Sequence, residues 1–335
     1  MIVSTQSCLM VRIPAILLTG FLGVSLGLAI ARAQQTGNFD EGDLHVLRVQ
    51  GNVYLLAGAG GNVTIQAGDQ GIFLVDAGSA QLADKTLAAI RKVSTRPIRY
   101  IVDTGIDVDH TGGNEKLSSA GITVFGALFQ GNNLDALPYA QLVAHENAYN
   151  RMSGLTGGKR TAPPGGLPMD AYPGDLKKLF FNEEGVEIIH IPSAHTDGDS
   201  MVYFRRSDVL STGDILNTTS YPVIDLDKGG NIQGIVDGLN RILEITIAKQ
   251  EGEGGTYVIP GHGRIFDQFE VLEYRDMVTI VRDRIQASIK KGMSLDQIKA
   301  THPTEDYDAR YGSDSGPWTT DMFVEGVYKS LVAHK

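Results

Sequence analysis

Asp103-Thr104-Gly105-Ile106-Asp107-Val108-Asp109-His110-Thr111-Gly112-Gly113-Asn114 follows an apolar run from Ile98 to Val102. The run reads as a buried strand, and Gly112-Gly113 permits a tight turn, so Asp109 and His110 stand where a sheet edge opens into a loop. Three more polar clusters follow strand-like runs further along: Ala194-His195-Thr196-Asp197-Gly198-Asp199, Ser211-Thr212-Gly213-Asp214 and Pro260-Gly261-His262-Gly263. A lone His or Asp at a strand end is an ordinary turn residue. Four such clusters in one chain, built from carboxylates and imidazoles, form a constellation that can hold a hard or borderline cation.

The first cluster resembles the H-x-H-x-D-H-x-G-G-N signature of the metallo-β-lactamase superfamily. Gly105 stands in place of its first His and Asp107 in place of its second. The order of all four clusters matches that family over residues 45 to 265. The resemblance implies an α/β fold, a four-layer αβ/βα sandwich with the metal site at one edge of its two sheets. It also implies two adjacent metal positions. One keeps Asp109, His110 and His262, with Asp214 in the bridging place. The other normally takes three His and here keeps His195, joined by Asp107 and the shared Asp214. Gly105 offers no side chain, and an Asp at 107 reaches the metal only if the loop moves inward. The expectation is therefore one tightly bound Zn²⁺ and a second that is weak or absent. Fe²⁺ or Mn²⁺ are alternatives, since no thiolate biases the choice.

The alternating pattern outside the clusters agrees with this fold. Val46 to Leu56, Val63 to Ala67 and Ile72 to Val75 read as a meander, followed by a helix over Gln81 to Lys92 and the strand Ile98 to Val102. A helix over 114–120, a strand over 122–125 and a helix over 144–152 follow. Ser153 to Gly174 is a Gly- and Pro-rich excursion. Its Gly157-Gly158-Lys159 lacks the spacing and hydroxyl residue of a phosphate loop. Strands over 186–191, 201–204, 209–210 and 257–259, with a helix over 235–249, make the second half. A helix over 270–292, a Ser294/Gln297 capping box and a helix over 320–332 form a helical C-terminal tail.

Met1 to Ala33 is of another kind. Arg12 precedes an uncharged, mostly apolar run to Ile30, and Ala31-Arg32-Ala33 is an A-x-A cleavage site. This reads as a signal peptide cut after Ala33, with an uncleaved membrane anchor as the alternative. The domain boundaries expected are 1–33 for the signal, 34–268 for the sandwich and 269–335 for a helical extension packed on it. The location expected is periplasmic or secreted, with no stable membrane partner after cleavage. Gly23-Val24-Ser25-Leu26-Gly27 fits a serine-nucleophile pattern but lies in the apolar run, away from any strand-to-helix turn. Cys8 is the one cysteine, so the mature chain has neither disulfides nor thiolate ligands. The net charge of −10 over 335 residues argues against nucleic acid, whose phosphates require clustered Lys and Arg.

These readings converge on an exported metal-dependent hydrolase of a small ester, lactone, thioester or amide. The nucleophile would be a metal-bound hydroxide, with Asp109 or Asp214 orienting it and His195 stabilising the oxyanion. Export disfavours glutathione-thioester chemistry. Loss of the three-His position disfavours β-lactams as the physiological substrate. The alternative from another class is a family member that binds one metal or a small ligand as a sensor or scaffold. Two smaller expectations complete the reading: Asp76 supports the metal loop, and His145-Glu146 serves as a helix cap.

Overall fold

The computed structural model describes residues 44–123, 138–250 and 254–333. Contacts divide the chain between Asn38 and Phe39, and every described residue belongs to the second unit. The leader read over residues 1–33 lies outside the described residues. Among the described residues no helix is long and apolar enough to cross a membrane.

The first sheet begins as an antiparallel meander of β1 (His45–Gln50), β2 (Val53–Ala59), β3 (Gly61–Gly68) and β4 (Gly71–Val75). The run from Val46 to Leu56, expected as one strand, is two, because Gly51 takes φ +56° and turns the chain. Next come α1 (Ala83–Val93) and β5 (Ile98–Val102). The short α2 (Val108–Thr111), α3 (Asn114–Ser119), β6 (Gln141–His145), α4 (Glu146–Ser153) and β7 (Asp170–Tyr172) follow. Strands β4 to β7 are mutually parallel. Ala144 and His145, expected to open a helix, instead pair with Ala171 and Tyr172, so the helix starts at Glu146. Ile122 and Thr123 lie in no strand, and the rest of that expected strand is outside the described residues.

The second sheet holds β8 (Leu176–Phe181), β9 (Glu184–His190), β10 (Ser200–Phe204), β11 (Val209–Ser211) and β12 (Tyr257–Ile259) in the order β12-β11-β10-β9-β8. Strand β8 escapes a reading by apolar runs because Lys177 and Lys178 interrupt it, Lys178 on the solvent side and Lys177 on the other face beside Asp170. Helix α5 (Ile232–Ile245) starts three residues before its expected position, where the Asn231 side chain accepts from Gln233 N–H. After β12 come α6 (Gln268–Lys290), α7 (Leu295–Lys299), α8 (Glu305–Tyr311) and α9 (Thr320–Ala333). Capping boxes at Asp267/Glu270 and Ser294/Gln297 start α6 and α7.

Three apolar cores set four layers. Leu56, Ile65, Ile72, Leu74 and Ile101 of the first sheet pack on Ala89 and Ile90 of α1 and Leu117 of α3. Val53, Leu55, Phe73, Val75 and Val102 face Val186, Ile188, Val202, Phe204 and Ile259 across the space between the sheets. Ile189, Met201, Leu210 and Val258 on the far face of the second sheet meet Ile235 and Leu239 of α5, Val278 and Val281 of α6, and Phe323 of α9. The order is helix, sheet, sheet, helix, an αβ/βα sandwich with the C-terminal helices sharing its outer core. Loops bearing the polar clusters emerge along one rim, after β5, between β9 and β10, after β11 and after β12.

Candidate metal centre

The rim is stitched before any ligand is considered. Asn62 N–H donates to Gly261 O (2.8 Å), and its side chain to Pro260 O and Gly263 O, tying β3 to the loop after β12. Gly261 N–H donates to Gly213 O (2.8 Å), and Ser200 N–H to Thr104 O (2.7 Å), which binds the β5 loop to the second sheet. Asp76, at the end of β4, sits in the left-handed region at φ +64°. Its carboxylate accepts from Thr104 N–H (2.8 Å) and from the Thr104 hydroxyl, and reaches His110 Nδ1 at 2.8 Å. That bond keeps a proton on Nδ1 and points Nε2 into the rim as the nitrogen a metal would take.

His110 is buried, and the backbone of β3 passes so close that a Cβ on Gly61 would lie 2.5 Å from its ring. His110 Nε2 stands 3.2 Å from Asp214 Oδ1 and 3.3 Å from His262 Nε2. His262 Nε2 is 3.1 Å from Asp109 Oδ2 and 3.5 Å from Asp214 Oδ1. On the other side His195 donates from Nδ1 to Val223 O (3.0 Å), and its Nε2 lies 2.6 Å from Asp107 Oδ2. Asp107 is shorter than the expected His, yet it reaches. It occupies the extended N-cap position of α2 without capping it, which frees the carboxylate to turn toward His195.

All six residues singled out in the sequence are therefore brought to one rim, in two groups. Asp109, His110 and His262 form one; Asp107, His195 and Asp214 form the other. Within each group the ligand atoms lie within 4.8 Å of one another. Asp214 stands between them, near imidazoles of both. Its Oδ1 is buried and no donor points at it along a hydrogen-bond direction, although two imidazole nitrogens lie within 3.5 Å. A buried carboxylate oxygen and converging lone pairs are costly without a positive charge among them, so the donor set fits a divalent cation.

The electrostatics agree. Burial works against charge on His195, but Asp107 and Asp214 outweigh it and push its pKa up to about 10. His110 is raised well above the ordinary imidazole range, Asp214 and Asp76 overcoming its burial. Burial works against charge on Asp214, but His110, His262 and His195 outweigh it and hold its carboxyl well below the usual range. Protons on these imidazoles hold positive charge where a cation would hold it.

Three further polar residues stand at the rim, and of these only Lys228 is not flagged by the sequence, whereas His145 caps its helix as expected. Lys228 Nζ lies 2.7 Å from Asp225 Oδ2 and 3.4 Å from Asp107 Oδ1, in a loop without a motif to flag it. Asp199 is buried behind His195, accepting from Thr196 N–H and hydroxyl, and burial raises its pKa to about 6. His145 caps α4 through Nδ1, accepting from Asn147 N–H (3.3 Å), and stacks on His190 at 3.5 Å between ring centroids. Where Gly105 replaces a ligand, a Cβ would meet only Asp199 Oδ1, at 3.9 Å.

Comparison with known structures adds the fold's kinship. The sec-alkylsulfatase Pisa1 from Pseudomonas sp. superposes with a TM-score of 0.60 at 16% identity, over 85% of this chain and 50% of that one. This chain thus spans about half the length of the alkylsulfatase. A metallo-beta-lactamase from Pontibacter korlensis superposes with a TM-score of 0.52 at 15% identity, over 71% of this chain and 99% of that one. The DIM-1 metallo-beta-lactamase gives 0.50 at 17%, over 71% and 97%. No curated protein matches the sequence. The family model described as Metallo-beta-lactamase superfamily matches residues 48–262, from β1 through His262. With all six candidate ligands inside that span, the chain belongs to the metallo-beta-lactamase superfamily.

Proposed function

We propose that this protein is an exported, zinc-dependent hydrolase of a small ester, lactone, thioester or amide. The observation that carries the reading is the gathering of Asp109, His110 and His262 with Asp214 beside them, its Oδ1 buried, 3.2 Å from His110 Nε2 and 3.5 Å from His262 Nε2, and without a hydrogen bond. These four residues would hold the resident cation, and Asp76 fixes the tautomer of His110. A Zn²⁺ held there would lower the pKa of its water to about 7 and so supply a nucleophile at neutral pH. Asp109, whose side chain is 39% exposed against 18% for Asp214, is the carboxylate on the open side. It orients the attacking water and accepts its proton. His195, held from behind by Val223 O, presents Nε2 beside Asp107 and donates to the oxyanion that develops on the substrate carbonyl. The apolar leader and its cleavage motif support export to the periplasm or beyond.

The test is metal analysis of the mature chain followed by hydrolysis of chromogenic esters, lactones, thioesters and cephalosporins. The structural likeness to an alkylsulfatase adds a secondary sulfate ester to the panel. About one zinc per chain with turnover of a carbonyl ester or lactone is the expected result. A second reading, a sensor or scaffold that binds one cation, is favoured by Gly105, which offers no ligand where the family's pattern has one. One zinc per chain with no turnover on the whole panel would replace the hydrolase by that reading.

A further inference from the structure

The two groups at the rim differ in one respect that the ligand types do not reveal. Among the described residues, Asp109 and Asp214 form ion pairs with imidazoles alone, whereas Asp107 is also paired with the Lys228 ammonium. An imidazole gives up its proton when a metal takes the nitrogen. A lysine ammonium held between two carboxylates does not: Lys228 Nζ lies 2.7 Å from Asp225 Oδ2 and 3.4 Å from Asp107 Oδ1, an ion pair that a metal on the imidazole nitrogens leaves in place. It occupies Oδ1 of Asp107 and leaves Oδ2 alone for coordination. It also places a permanent positive charge next to the position a second cation would take.

The placement is built into the fold. The loop from Val223 to Asn231 is bound to the His195 loop at four points: Val223 O accepts from His195 Nδ1, Asp225 N–H donates to His195 O, Asp197 N–H to Lys228 O, and Asn231 N–H to Ala194 O, each at 3.0 Å. Asp225 also accepts from Lys228 N–H (3.1 Å) and holds its ammonium at 2.7 Å. Gly230 lies so near that a Cβ there would come 2.1 Å from His195 O, so a side chain at that position would pry the loops apart. Lys228 therefore has a fixed address relative to His195 and Asp107.

We propose that Lys228 is a positioning residue that keeps the Asp107, His195 and Asp214 group at low cation affinity by pairing with Asp107, so that the protein works with one resident cation. This rests on the hydrolase reading above, in which the other group holds that cation.

The experiment is titration of the metal-free full-length chain with Co²⁺ alone, followed by visible absorption and by competition with a chromophoric chelator. Wild type, Lys228→Met and Lys228→Arg are compared at pH 7.5. The expected result is a first equivalent of equal affinity in all three, and a second equivalent bound about tenfold or more tightly in Lys228→Met than in wild type or Lys228→Arg. A merely structural salt bridge would move affinity down or not at all, so the gain is diagnostic. A second equivalent in Lys228→Met no tighter than in wild type overturns the proposal while leaving the hydrolase reading intact. Failure of every form to take even the first equivalent overturns that reading instead. Should Lys228→Met not fold, Lys228→Gln carries the same charge removal and the same two outcomes.

Discussion

Asp76→Asn isolates what the supporting carboxylate does for the metal loop. Asp76 is buried, touches no substrate-facing surface and reaches the candidate cation position through His110 alone. Its backbone is left-handed at φ +64°, a conformation that Asn tolerates well among non-glycine residues, so the replacement keeps shape and fold. The amide oxygen can still accept from Thr104 N–H, now made by Oδ1 at 2.8 Å, and the Thr104 hydroxyl can rotate to suit. His110 cannot adapt at the same cost. The amide NH₂ faces Nδ1 across 2.8 Å, which forces Nδ1 to accept and moves the ring proton to Nε2, the nitrogen needed as a lone pair. Loss of such a supporting partner lowers metal affinity by about 10- to 100-fold, or about 1.4 to 2.7 kcal/mol at 25 °C. Chelator competition on wild type and variant measures the ratio directly, and circular dichroism checks that the fold is retained. A folded Asp76→Asn protein with unchanged zinc affinity would refute both the tautomer argument and the placement of His110 as a ligand.

Gly61→Ala should lower both zinc affinity and melting temperature, because its Cβ meets the His110 ring at 2.5 Å; overpacking of this kind costs about 1–3 kcal/mol, and an unchanged melting temperature would contradict the close approach. Gly105→His with Asp107→His should raise bound zinc from about one toward two per chain by elemental analysis, since the space at Gly105 holds only Asp199 Oδ1 at 3.9 Å; no rise would remove the mapping of that position. Zinc binding at pH 7.5 should release a proton, because His110 holds one in the metal-free protein that a cation on Nε2 displaces; calorimetry in two buffers of different ionisation enthalpy reads this, and equal heats would count against it. Burial and His190 lower His145 to about 4, below its value in the unfolded chain, so its contribution to stability is full above about 6.5 and is lost as pH falls toward 4. His145→Asn, which keeps a capping oxygen and does not titrate, should lose less melting temperature than wild type between pH 7 and pH 4.

The position of the site was legible in the sequence because it depends on local events. Apolar runs at Ile98 to Val102 and Tyr257 to Ile259 end in polar turns, and both appear as strands β5 and β12 with those bounds. Capping chemistry at Ser294 and Gln297 likewise acts within one turn of helix and fixed the start of α7. The split at Gly51 and the strand character of Ala144 and His145 were not legible, since one depends on a backbone conformation and the other on pairing with β7. At the site, chain order named Asp107, Asp109, His110, His195, Asp214 and His262 as candidates. Tertiary structure alone decided that Asp107 reaches His195, that Asp214 stands between two groups, and that Lys228 is poised over one of them. The physical reason is range: strand ends and caps are set by neighbours a few residues apart, whereas the charge that a carboxylate faces comes from segments about 120 residues away, gathered only when two sheets close on one core.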